Sequence, residues 1–203
     1  MSIKRLTRYP SYDVMSQRHE WDEHTRRIVL DRLQTGGGGY TFLTAVEAEN
    51  LRAWCCLLLD DERPEIIQFV LDHIDTKMNS GQESQRKPGE PPAPALVRNG
   101  LQALDSACQR LHTKRFFHMD QEQKKQIMHA ISQGDGSPPD IWRSIPQQAW
   151  FQKLLKLAID GYYSHPEVWS EIGYGGPAYP RGYVRMNPDV PDPWEPIKEG
   201  KPS

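Results

Sequence analysis

The sequence predicts an all-α protein: a bundle of about six helices followed by an extended arm rich in glycine, proline and aromatic residues. Three observations predict it. Apolar residues return at three- and four-residue spacings in six separate stretches, the repeat that gathers them on one face of a helix. No stretch alternates apolar and polar residues as a half-buried strand would. Near the end, GYYSHPEVWSEIGYGGPAYPRGYVR at 161–185 holds six aromatic residues among five glycines and three prolines, a mixture that suits neither long helix nor strand.

The first helix is expected over Trp21–Leu33, where Trp21, Ile28, Val29 and Leu33 share a face and DEHTRR supplies the wet one. QTGGGGYTF then breaks the pattern. Four glycines at 36–39 are a connector, because no strand precedes them and no Lys-Ser/Thr follows to make a phosphate-binding loop. Thr44 followed by Glu47 is a capping box. It opens a second helix, in which Leu51, Trp54, Cys55 and Leu58 fall at i, i+3, i+4 and i+7. Pro64 suits the first turn of a third helix with Ile67, Val70, Leu71, Ile74 and Met78 inward.

NSGQESQRKPGEPPAPA at 79–95 carries no large apolar residue and reads as an exposed loop. Beyond it, Val97, Leu101, Leu104, Cys108 and Leu111 form the seam of a fourth helix. Asp120, with Gln123 three residues on, N-caps a fifth whose stripe is Ile127, Met128 and Ile131. GDGSPPD ends it, and Pro146 starts a sixth with Phe151, Leu154, Leu155 and Ala158 inward, running into Gly161. The expected organisation is one helical domain over 12–186, with 79–95 an internal loop and 187–203, which holds five prolines, a flexible tail.

Composition excludes more than it selects. With 25 basic and 27 acidic residues in 203 the net charge is −2, which gives no electrostatic reason to expect nucleic acid or an anionic membrane. Cys55 and Cys56 are adjacent and Cys108 stands alone, so disulfide scaffold, zinc ribbon and haem attachment are disfavoured. Both Cys55 and Cys108 lie on apolar faces and read as buried, inert thiols. The amino end has no apolar run behind its basic residues, and AWCCLLL at 53–59 is far shorter than the ~20 residues that span a bilayer. A cytoplasmic location is the expectation.

Seven histidines show neither H-x-x-x-H nor H-E-x-x-H spacing. Asp60, Asp61 and Glu62 read as a solvated helix end. Asp72 and Asp75, flanking His73, read as surface charge. The helices by themselves suggest no catalytic constellation. A metal or catalytic alternative would use His165 with Glu167 and Glu171.

Attention therefore falls on 161–185. If extended it reaches on the order of 80 Å. Tyr162, Tyr163, Trp169, Tyr174, Tyr179 and Tyr183 would bury roughly 1,000 Å², so they need a cover, either this chain's own core or a partner.

This segment resembles the carboxy-terminal signature of the gluconate 2-dehydrogenase subunit 3 family. FLTAVEAENLRAWCCLLL resembles the family's opening helix, PDIWRSIPQQAWFQKLLKLAIDGYYSHP its final helix, and YDVMSQRHEWDEHTRRIVLDRL the amino-terminal helix of some members. The resemblance implies a non-catalytic accessory subunit without a cofactor of its own. Its implied partner is a large FAD-dependent dehydrogenase subunit of the glucose-methanol-choline type that oxidises gluconate or a related sugar, and a cytochrome c subunit takes the electrons in exported complexes. The twin-arginine signal of exported members is not seen at the amino end of this sequence, so stabilising or maturing the flavoprotein is the expected role. By the same resemblance Gly161, Tyr162, Tyr163, His165, Pro166, Trp169, Gly173, Gly175, Gly176, Pro177, Tyr179, Pro180, Arg181, Gly182 and Tyr183 are the expected partner-contact residues. By that resemblance none is assigned a catalytic or metal-binding role.

Overall fold

Thr44 and Glu47 form the capping box that their spacing predicts: each accepts the other's backbone N–H, and the helix they open runs Ala45–Leu59. This helix belongs to a computed structural model that describes residues 7–34, 39–81, 89, 91–177 and 192–199. Among the described residues there are α-helices and 3-10 turns and no strand, so the protein is all-α. The helices are α1 (Glu23–Gln34), α2 (Ala45–Leu59), α3 (Pro64–Asn79), α4 (Ala93–His112), α5 (Gln121–Gln133), α6 (Pro139–Trp142), α7 (Gln147–Tyr162) and α8 (Pro166–Ile172). They fall into two compact units, one of residues 38–162 and one that joins residues 1–37 to 163–203.

In the unit 38–162, α7 packs against α2, α3, α4 and α5, and α2 packs against α3, α4, α5 and the 3-10 turn Phe116–His118. The core between them is aromatic. Trp54 of α2 stacks at a tilt on Trp150 of α7, ring centroids 4.9 Å apart, and on Phe116 at 5.7 Å, while Trp142 of α6 meets Trp150 at 5.8 Å. Such pairs contribute about 0.5–1.5 kcal/mol each beyond the area they bury.

Gly100 makes the crossing of α4 and α7 possible. A Cβ there would lie 2.1 Å from Trp150 Nε1, which donates instead to the Val97 carbonyl at 3.3 Å. The predicted helix starts also hold: Pro64 occupies the first turn of α3, and Asp120 caps α5 by accepting Gln123 N–H at 2.8 Å.

Two acidic groups are not where sequence patterning places them. Asp75, expected on the wet side of α3, is buried and accepts from Thr41 N–H, Thr41 Oγ1, Phe42 N–H and Leu43 N–H at 2.8–2.9 Å. It serves as the anchor for the chain entering α2, because three successive backbone donors there have no helical partner. Burial raises the Asp75 pKa, but these donors outweigh it and the net direction is down. Asp61, expected to be solvated, is also buried and pairs with Arg63.

In the unit that joins the two ends of the chain, a 3-10 turn at Val14–Glu20 leads into α1 and packs on α8. Its core is Val14, Trp21, Val29 and Trp169, with Tyr12 and Met15 against it. Trp21 and Val29 are buried as the α1 face predicts, whereas Ile28 and Leu33 of that face are exposed.

Candidate functional site

The arm predicted as irregular contains a helix, and the residues read as breakers are its two ends. His165 is the N-cap of α8, its Nδ1 accepting Glu167 N–H at 3.2 Å, and Pro166 stands in the first turn, where no N–H is required. Gly173 closes the helix at φ 71°: its N–H donates to the Ser170 carbonyl at 3.3 Å, and Tyr174 N–H donates to the Trp169 carbonyl at 2.8 Å. A long helix is excluded by this punctuation. A two-turn helix is specified by it.

Within that unit Trp169 is 5% exposed, with Trp21 edge-on at 6.5 Å and Tyr174 edge-on at 5.4 Å. Its indole N–H donates to the Tyr163 carbonyl. Ser170 Oγ accepts Val14 N–H at 3.0 Å and donates to the Pro166 carbonyl at 3.0 Å, stitching α8 to the start of the chain. Tyr12 donates its hydroxyl to the Trp194 carbonyl at 3.0 Å. The glycines of the arm serve close approach. A Cβ on Gly173 would strike the Tyr9 ring, and one on Gly176, at φ 81°, would lie 2.6 Å from Trp21 Cζ2. Gly175 meets nothing closer than 3.8 Å.

The first two signature residues belong to the other unit. Gly161 lets α7 lie against α3: a Cβ there would stand 3.3 Å from Val70 Cα and 3.4 Å from His73 Cβ. Tyr162 is buried and donates its hydroxyl to Asp61 Oδ2 at 2.9 Å. Asp61 also receives Arg63 Nη2 at 2.7 Å, Arg63 Nε at 3.1 Å and Arg63 N–H at 3.1 Å. Burial pushes the Asp61 carboxyl up, but the donors from Arg63 and Tyr162 outweigh it and hold the pKa at about 2.

The signature residues expected at a partner surface thus divide. Gly161, Tyr162, His165, Pro166, Trp169 and Gly176 are buried within this chain, so two of the arm's six rings, Tyr162 and Trp169, are covered by the chain itself. Tyr163 is 51% exposed, and Gly173, Gly175 and Pro177 are partly exposed. Tyr179, Pro180, Arg181, Gly182 and Tyr183 lie outside the described residues. Two exposed residues that the sequence reading left off the contact set flank these: Ile172 at 49% and Tyr174 at 40%. Their places at the carboxy end of α8 follow from a helix that the arm's composition concealed.

Nothing near the thiols suggests nucleophilic chemistry. Burial, with a smaller contribution from neighbouring Cys56, pushes the Cys55 thiol far up, and burial with Asp105 nearby pushes Cys108 up to about 12. Among the described residues no three His, Cys, Asp or Glu side chains converge as a metal site. His165 uses Nδ1 to cap α8, which sets it apart from the metal-ligand role considered with Glu167 and Glu171.

Fold and site together define a helical protein in which, of the signature's polar groups, His165 caps a helix and Tyr162 joins a buried contact. The family model described as gluconate 2-dehydrogenase subunit 3 matches residues 47–176, and the chain belongs to that family. The match takes in α2 through α8, including the signature as far as Gly176, and leaves the amino-terminal helix outside it. Comparison with curated proteins and with solved structures returns no significant match. The family's name makes its members subunits of a gluconate 2-dehydrogenase. Among the described residues no helix is long and apolar enough to cross a membrane.

Proposed function

We propose that the chain is a non-catalytic accessory subunit that binds and stabilises a large FAD-dependent dehydrogenase subunit of the glucose-methanol-choline type. FAD resides in that partner, which oxidises gluconate or a related sugar, and a cytochrome c subunit is a further partner where electrons leave the complex. The single observation that carries this reading is the family match over 47–176. Supporting it, α8 and its flanks present Tyr163, Ile172 and Tyr174 at 40–51% exposure on a buried Trp21–Trp169 base. Rings and branched aliphatics held on a fixed base lose little entropy on docking.

The test is co-expression of the full chain with a flavoprotein subunit of this type, read by co-purification and by flavin absorbance. The expected result is a flavin-containing complex. Tyr163→Ser with Ile172→Ser is expected to lower its recovery roughly tenfold or more, with the melting temperature of the isolated chain little changed. Recovery of this chain alone and colourless, or an undiminished complex with the double variant folded, would overturn the reading.

A further inference from the structure

A half-open cavity of about 190 Å³ lies between α4, α5 and the loop that leads into α6, within the unit 38–162, and no signature residue lines it. Its walls are Cys108 and Leu111 from α4, Ile127, Ala130 and Ile131 from α5, and Trp142 from α6. No Asp, Glu, Lys or Arg contributes to the lining. The polar members are His112, Gln126 and Ser137, which are exposed. Leu111, predicted on the buried seam of α4, is instead 51% exposed at this cavity. The seam of α4 is therefore left partly uncovered at this cavity.

From this geometry we infer that the cavity is a binding site for a small uncharged aromatic molecule: one ring bearing at most one hydroxyl or carbonyl group. Three features fix that class. First, the volume exceeds the about 150 Å³ of an apolar cavity that accepts benzene, so a single substituted ring fits. Second, no Asp, Glu, Lys or Arg lines the cavity and most of its wall is apolar, so an ionised ligand would lose hydration there without gaining a carboxylate, ammonium or guanidinium partner, which disfavours sugar acids and other anions. Third, aliphatic side chains and a tryptophan ring share the wall, surfaces against which a flat apolar ligand buries area. The Cys108 thiol stays protonated against it and acts as another apolar wall. This site is independent of the flavoprotein reading, because none of its walls belongs to the signature.

The experiment is an NMR titration of the full chain with p-cresol, with gluconate as the charged, hydrophilic control. Saturable shifts are expected at the Ile127 and Ile131 methyls and the Trp142 indole, with contacts between the cresol methyl and those groups in the unaltered protein, and none with gluconate. Ala130→Phe fills the cavity and is expected to weaken p-cresol roughly tenfold or more. Contacts to Ile127 and Ile131 in the unaltered chain decide the matter even if that variant fails to fold. Linear, non-saturating shifts, contacts elsewhere on the surface, or equal affinity in a folded Ala130→Phe protein would overturn the inference. So would a cavity that takes no cresol but becomes shielded when the flavoprotein subunit is added, since its occupant would then be protein.

Discussion

Asp61 shows how little of a residue's role lies in its own type. Beside Asp60 and Glu62 it reads as one of three solvated acids, yet it alone turns inward to take Arg63 and the Tyr162 hydroxyl. Its folded pKa, about 2, lies below the ordinary aspartate value of about 3.9, so the carboxylate contributes stability that is fully present above about pH 4 and lost as pH falls towards 2. Thermal melts over that interval are expected to show a falling melting temperature, and Asp61→Asn to flatten the fall while lowering stability at pH 7. Tyr162→Phe, which removes one buried donor, is expected to cost about 1 kcal/mol by urea denaturation. Gly100 is equally unmarked in the sequence. Gly100→Ala sets a methyl 2.1 Å from the buried indole of Trp150, and an overpacking cost of about 1–3 kcal/mol is expected in the same measurement.

At the scale of elements, local signals placed the helices well because caps and periodicity are short-range. Thr44 with Glu47, Pro64 and Asp120 each begin the helix that their chemistry predicts. In the arm the same rules point away from regular structure because of its glycines and prolines, whereas the separation of Pro166 and Gly173 is that of a helix start and a helix stop. Gly173→Ala tests this: the left-handed backbone and the Tyr9 ring both oppose a side chain. Unfolding is expected to be easier by more than about 1 kcal/mol, with hydrogen exchange accelerated at Trp169–Tyr174 before the rest of the chain. The loop into α2 depends on one distant group. Asp75→Ala strands the N–H groups of Thr41, Phe42 and Leu43, for an expected loss of about 3 kcal/mol, and exchange at these three amides would register it first.

Across the whole molecule, the family match runs through both compact units, from Glu47 in one to Gly176 in the other. The signature itself is divided between them: Gly161 and Tyr162 complete α7, and the residues from Tyr163 onward join the amino-terminal segment. A partner that reads the signature therefore meets residues whose positions depend on chain contacts far apart in sequence, such as Ser170 with Val14. Deleting residues 1–21 is expected to remove Val14 and Trp21 from beneath Trp169 and to lower recovery of the flavoprotein complex, as measured by co-purification. Unchanged recovery would show that docking uses none of that support.

By itself the sequence determined the all-α class, the starts of the principal helices and the family to which the chain belongs, because each rests on spacing and short-range chemistry along one stretch. Only the tertiary structure decided which acids are buried, which rings of the arm are covered and where an apolar cavity stays open. Those outcomes depend on what lies across space from a residue: Asp61 and Tyr162 stand 101 positions apart, and no local pattern encodes their meeting.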